Sequence, residues 1–161
     1  MDPLKVGAAV AAVGIGATGA GFGVFNYLNA PYSLKNFLDG SSEKSSAYEG
    51  KLGDIGNNKA LFLANMPENK KWWEERFKDW SKETEKSTEF DNLKTYSTEV
   101  SDNKAINNVC DAAYKLGVST AFTSTDSGTN KVKYKQNIAK YCTISGNDEG
   151  ITWTVATSSG G

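Results

Sequence analysis

Histidine is absent from the 161 residues, and that absence excludes more chemistry than any motif in the chain supplies. Without imidazole there is no Ser-His-Asp or Cys-His nucleophile pair, no general base naturally poised near neutral pH, and no usual metal ligand. Cysteine is scarce: Cys110 and Cys142 are the only two, too few for a closed thiolate zinc site within one chain. Arginine is scarcer. Arg76 stands alone among 18 basic residues, the rest being lysine, so bidentate recognition of phosphate or carboxylate is poorly supplied. Neither sign of charge is in excess. The 18 basic residues face 19 acidic ones for a net charge of −1, and nucleic acid, which demands a basic face, is not an expected partner. No enzyme, cofactor or metal centre is expected. Lysine and asparagine are plentiful, which suggests A+T-rich codons more than a function.

What the chain does have begins with glycine. Residues 13–21 read VGIGATGAG, and Gly14, Gly16 and Gly19 fit G-x-G-x-x-G, the dinucleotide-binding fingerprint. That motif needs a strand before it, a helix after it and a second strand ending in an acidic residue. Asp39 lies twenty residues beyond Gly19, but NAPYSLKNFLD is no hydrophobic strand and no βα alternation follows. A nucleotide-binding enzyme is therefore the least favoured reading. The same glycines lie in an uncharged run of twenty-three residues, Val6 to Leu28. As a helix this run spans roughly 34 Å, against about 30 Å of bilayer hydrocarbon. Lys5 borders it on one side and Tyr27, Tyr32 and Lys35 on the other, with Pro31 breaking the helix. Tyrosine and lysine suit the headgroup layer. Residues 1–30 are accordingly read as a transmembrane anchor inserted in membrane lipid, with a cleaved signal peptide as the alternative.

Within that helix the glycines have a packing role. Gly7, Gly14 and Gly21 recur every seven residues, Gly16 and Gly23 repeat the spacing, and Gly19 with Gly23 forms G-x-x-x-G. Small residues let membrane helices approach closely, so the partners expected here are a second copy or other membrane helices. Lys5 against Lys35 and Lys44 leaves the orientation nearly balanced by the positive-inside rule.

Beyond the anchor one soluble domain is expected, mainly α-helical with a minor C-terminal β element. Residues 31–59, rich in Gly, Ser and charge, read as a flexible linker; the Ser41-x-x-Lys44 spacing within them matches a serine-lysine nucleophile pair only by chance. The domain proper covers 60–157, with 158–161 as a tail. A first helix is expected from about Pro67 to Glu83, with Trp73, Phe77 and Trp80 at i, i+4, i+7 and Trp72 widening the stripe. Its main reading is a core face; its second is an aromatic contact patch of Trp72, Trp73, Phe77 and Trp80. Phe90, Leu93 and Tyr96 suggest a short helix within 83–102. A longer one starts near Asp102 or Asn103, carries Ile106, Val109, Cys110 and Ala113, and stops at Gly117. Residues 118–130 read as an extended piece and a turn, 131–143 as a helix, and ITWTVATSSGG as a strand with a tail. Exposed loops at 39–59 and 118–130 would carry any binding.

Cys110 and Cys142 each sit on the apolar side of an expected helix. Two packed helices can bring them to the Cα spacing of about 5–6 Å that a disulfide needs. Such a bridge contributes roughly 3–4 kcal/mol in the chain-entropy model, and oxidation is expected if the domain lies outside the membrane. Two buried free thiols are the alternative.

The glycine-rich start MDPLKVGAAVAAVGIGATGAGFGVFNYL, the Lys-rich and Arg-poor body, KKWWEERFKDW and KYCTI together resemble the paralogous membrane-anchored proteins of haemotropic mycoplasmas. The resemblance runs loosely from end to end, apart from SGNDEGITWTV. It implies a single-pass protein of the cell membrane with its C-terminal domain outside the cell, serving host contact or antigenic variation, with a host surface molecule as partner and no assigned biochemistry. A membrane-tethered structural subunit is the alternative.

Overall fold

In the computed structural model, residues 30–39, 41–122 and 129–155 are described. The domain is mainly helical. Its elements are α1 (Leu34–Leu38), α2 (Ser42–Ser46), α3 (Asn58–Leu61), α4 (Lys70–Ser81), α5 (Ile106–Tyr114), α6 (Val118–Ala121) and α7 (Asn130–Tyr141), with 3₁₀ turns at Pro67–Asn69 and Thr88–Phe90.

Helices α4, α5 and α7 pack against one another in pairs and form the centre. Pro67 opens the turn that leads into α4, where its fixed φ and missing N–H do no harm. The apolar stripe of α4 then buries Trp72, Trp73 and Trp80. Helix α5 buries Ile106, Val109, Cys110, Ala113 and Tyr114 on one face. It ends at Tyr114, before the expected stop; Gly117 instead precedes α6 with an ordinary negative φ of −70°. The Thr129 hydroxyl caps α7 by accepting from the Val132 amide at 3.4 Å.

The segment Leu61–Ala64 runs extended through the middle of the domain, with Phe62, Leu63 and Ala64 fully buried. On one side it pairs antiparallel with Tyr32–Leu34: the Leu34 amide donates to the Phe62 carbonyl at 2.8 Å and the Ala64 amide to that of Tyr32 at 3.0 Å. On the other it pairs with Cys142–Ile144: the Leu63 amide donates to the Cys142 carbonyl at 2.9 Å and the Ile144 amide to that of Leu61 at 2.8 Å. These contacts are isolated bridges, and no longer strand occurs among the described residues.

Irregular segments must still satisfy their backbone groups. Here buried asparagines supply the missing partners. Asn58 accepts from the Thr152 amide at 2.7 Å and donates to its carbonyl at 2.7 Å. Asn69 treats Tyr32 in the same way, at 2.9 and 2.8 Å. Asn107 holds both backbone groups of Ser97 at 3.1 and 2.8 Å. Asn137 accepts from the Ser87 amide at 2.8 Å and donates to the Glu85 carbonyl at 3.1 Å. All four residues are buried. The carboxamide offers one acceptor beside one donor, as a neighbouring strand would.

Several expectations are corrected. Residues 31–59 are no linker: Leu34, Leu38, Tyr48 and Leu52 lie in the core, because apolar residues spaced through the polar sequence reach inward while serines and lysines face solvent. The C-terminal β element does not form within 151–155, where Asn58 replaces a strand partner for Thr152. Phe90 and Leu93 are buried from a 3₁₀ turn and loop in place of a short helix. Residues 118–121 are helical rather than extended; Val118 and Phe122 are buried.

Candidate functional surface

The residues singled out in the sequence have different fates. Trp72, Trp73 and Trp80 are buried, at 2, 0 and 8 % exposure, and Phe77 is half-buried against Trp80, so they form core and not a contact patch. Two of the indoles also bond inward: Trp73 to the Ala64 carbonyl at 3.2 Å and Trp80 to that of Phe90 at 2.8 Å. Cys110 and Cys142 are joined in a disulfide with Cα atoms 5.4 Å apart, both fully buried. Neither thiol is left as a nucleophile. Gly7, Gly14, Gly16, Gly19, Gly21 and Gly23 lie outside the described residues. No described helix is long and apolar enough to cross a membrane. Ser41 caps α2, accepting from the Lys44 amide at 3.4 Å, while the Lys44 ammonium sits 4.5 Å above the Phe37 ring. That geometry serves a helix start, not a nucleophile and its base.

The disulfide lies at a junction. Cys142 caps the C-terminal end of α7, and its carbonyl also accepts from the Tyr114 hydroxyl at 2.7 Å; the Leu63 carbonyl lies 2.9 Å from the same hydroxyl. The Tyr114 ring stacks on Phe62 with centroids 4.5 Å apart. Burial pushes the Tyr114 phenol far above its ordinary range, so it stays a neutral donor. The bridge, Tyr114 and the Leu61–Ala64 segment thus form one fixed unit.

Arg76 is 3 % exposed and reaches from α4 to the loop after α7. Its Nη2 donates to the carbonyls of Thr143 and Ile144 at 2.8 and 2.9 Å. Burial lowers its pKa to about 10, opposed by the charge of Asp79. The single arginine therefore holds an irregular loop from inside, with one guanidinium nitrogen serving two successive carbonyls. Gly146, at φ 74°, passes close to the guanidinium; a Cβ there would stand 3.2 Å from Nη1.

Among the described residues the outward face is mostly polar, apart from Tyr32, Val100, Leu116 and Val155. A shallow groove of about 470 Å³ lies between residues 84–91 and the start of α7, lined by Lys86, Ser87, Thr88, Asp91, Asn130 and Lys133. Its charges are mixed and largely engaged. Lys133 pairs with Glu85 at 2.9 Å, the Lys86 ammonium lies 3.9 Å above the Trp80 ring, and Asn130 accepts from the Thr88 amide at 2.8 Å. The one indole near the surface is Trp153, half-buried against Phe122 at 5.4 Å with Lys135 5.1 Å above its ring. Beside it Val155 is 59 % exposed. Residues Ser42–Ser46 form a second outward feature, a ridge with no buried member. The Tyr48 amide donates to the Ser45 carbonyl at 3.0 Å, and the Tyr48 hydroxyl donates to Asp111 at 2.5 Å. Among the described residues no group of three or more acidic or cysteine side chains could hold a metal ion.

The sequence reading missed the asparagine clamps and the buried role of Arg76. A lone arginine amid lysines was a signal for the second. Asparagine abundance hid the first, since clamping and surface asparagines look alike in sequence. No family model, no curated protein and no solved structure matches the chain.

Proposed function

We propose that this chain is a single-pass membrane protein that displays a disulfide-locked helical domain on the outside of the cell, for host contact or antigenic variation and without catalysis. The buried Cys110–Cys142 bridge carries the reading, because such bridges persist in oxidising surroundings. The Val6–Leu28 run supports attachment to lipid. The resemblance to the paralogous proteins of haemotropic mycoplasmas points the same way. The Ser42–Ser46 helix, the groove beside α7 and the Trp153–Val155 edge supply exposed surface on a fixed scaffold. With histidine absent and both cysteines bridged, the usual activated nucleophiles have no place in it.

Labelling of intact cells with a membrane-impermeant lysine reagent tests the reading. Lys44, Lys51 and Lys82 are exposed on the domain, and display requires their modification before lysis. Modification only after lysis places the domain inside. It would then favour the structural subunit that packs through Gly7, Gly14, Gly16, Gly19, Gly21 and Gly23.

A further inference from the structure

The folded body begins almost where the apolar run stops. Tyr32 is fixed through both backbone groups by Asn69, at 2.9 and 2.8 Å, and Ser33 pairs antiparallel with Leu63. The Ser33 hydroxyl also accepts from the Asn36 amide at 3.2 Å to start α1. Only Asn29, Ala30 and Pro31 separate Leu28 from this clamp. Fully extended, the four steps from Leu28 to Tyr32 reach at most about 14 Å. The headgroup layer beyond the hydrocarbon is itself about 5–8 Å deep on each side.

We infer that the domain has no stalk and rests its Tyr32–Asn69 face against the phospholipid headgroups of its own membrane. This inference rests on the anchored reading of Val6–Leu28. Tyr32 is 47 % exposed, an aromatic with a polar tip at the depth where such residues settle. Around the clamp the exposed charges carry both signs: Glu68 beside Lys70 and Lys71, and Lys35 paired with Asp39 at 3.1 Å. Such a face suits a zwitterionic headgroup layer rather than a purely anionic one. The consequence is a fixed presentation. One face is always turned to lipid, and partners meet only the remaining surface.

The test uses the full chain in phosphatidylcholine vesicles containing a dansyl-headgroup lipid, compared with a variant carrying a Gly/Ser insertion between Ala30 and Pro31. A twenty-residue insertion adds roughly 25 Å of flexible reach. The native chain should sediment with the vesicles, resist a broad-specificity protease at the 29–31 junction, and show tryptophan-to-dansyl transfer. The insertion variant should release an intact soluble domain on proteolysis, with transfer reduced about twofold or more as the body moves away on that added length. Sedimentation with cleavage at the 29–31 junction of the native chain, or transfer indifferent to the insertion, overturns the inference and leaves the anchor standing. Failure of the native chain to sediment overturns the anchor and this inference with it.

Discussion

At the scale of single residues, stability rests on polar side chains that the chain buries on purpose. Asn58 and Asn69 each hold an extended segment by both its amide and its carbonyl. Each also donates to a buried carbonyl, of Leu52 and Ala64 respectively, and truncation leaves all these backbone groups without partners, at about 1–3 kcal/mol for each one shut off from water. Asn58→Ala and Asn69→Ala should each lose about 2–4 kcal/mol in urea unfolding on that basis, whereas Asn57→Ala, exposed and without a capping bond, should stay within about 0.5 kcal/mol. Equal effects at 57 and 58 would contradict the clamp. Arg76→Met removes the single nitrogen that bonds the Thr143 and Ile144 carbonyls, and its expected cost is about 2–3 kcal/mol. These are the features the sequence concealed. Apolar periodicity shows which way a side chain faces, but an asparagine reads the same whether it clamps a distant backbone or sits in water.

At the scale of elements, the helices with a strong apolar period were legible. Helix α4 lies where Trp73, Phe77 and Trp80 place it, and α5 and α7 follow their stripes within a few residues. Of the two readings left open for the cysteines, a bridge or two buried thiols, the structure has the bridge. The short elements were not legible. Residues 31–59 contain single apolar residues with no repeating period, and their burial depends on partners far along the chain, such as Asp111 for Tyr48. The end of α4 is tied to α7 through Glu83, which pairs with Lys140 and accepts from Tyr141 at 3.0 Å. The pair with Lys140 and the bond from Tyr141 lower the Glu83 carboxyl from 4.5 to about 2. Its folded pKa lies below its unfolded one, so this contribution is present above about pH 5 and fades as pH falls toward 2. Since Lys140 is half exposed, Glu83→Gln should cost about 1 kcal/mol at neutral pH, and the wild-type advantage should vanish by about pH 2. An advantage that persists unchanged into acid would show that the pair does not matter.

At the scale of the whole molecule, the first described residues and the disulfide are tied to one piece of chain. The Leu61–Ala64 segment bonds the Tyr32–Leu34 entry on one side and Cys142 on the other, and the bridge carries that connection to α5. If residues 1–30 hold the chain in a membrane, as proposed, load arriving from them meets a covalently closed core. The double variant Cys110→Ala and Cys142→Ala should lose about 3–4 kcal/mol of unfolding free energy in the chain-entropy model. The wild-type bridge, fully buried, should resist reductants until the domain opens. A double variant as stable as wild type would mean that the bridge only decorates the core.

The most direct test joins the two halves of the account, the membrane and the oxidised core. Cells are broken in the presence of a thiol-alkylating agent, membrane and soluble fractions are separated, each is denatured in the same agent, and the state of Cys110 and Cys142 is read by mass spectrometry without reduction. The account predicts the chain in the membrane fraction with the two cysteines joined to each other and unalkylated. A chain found in the soluble fraction with both cysteines alkylated would contradict it.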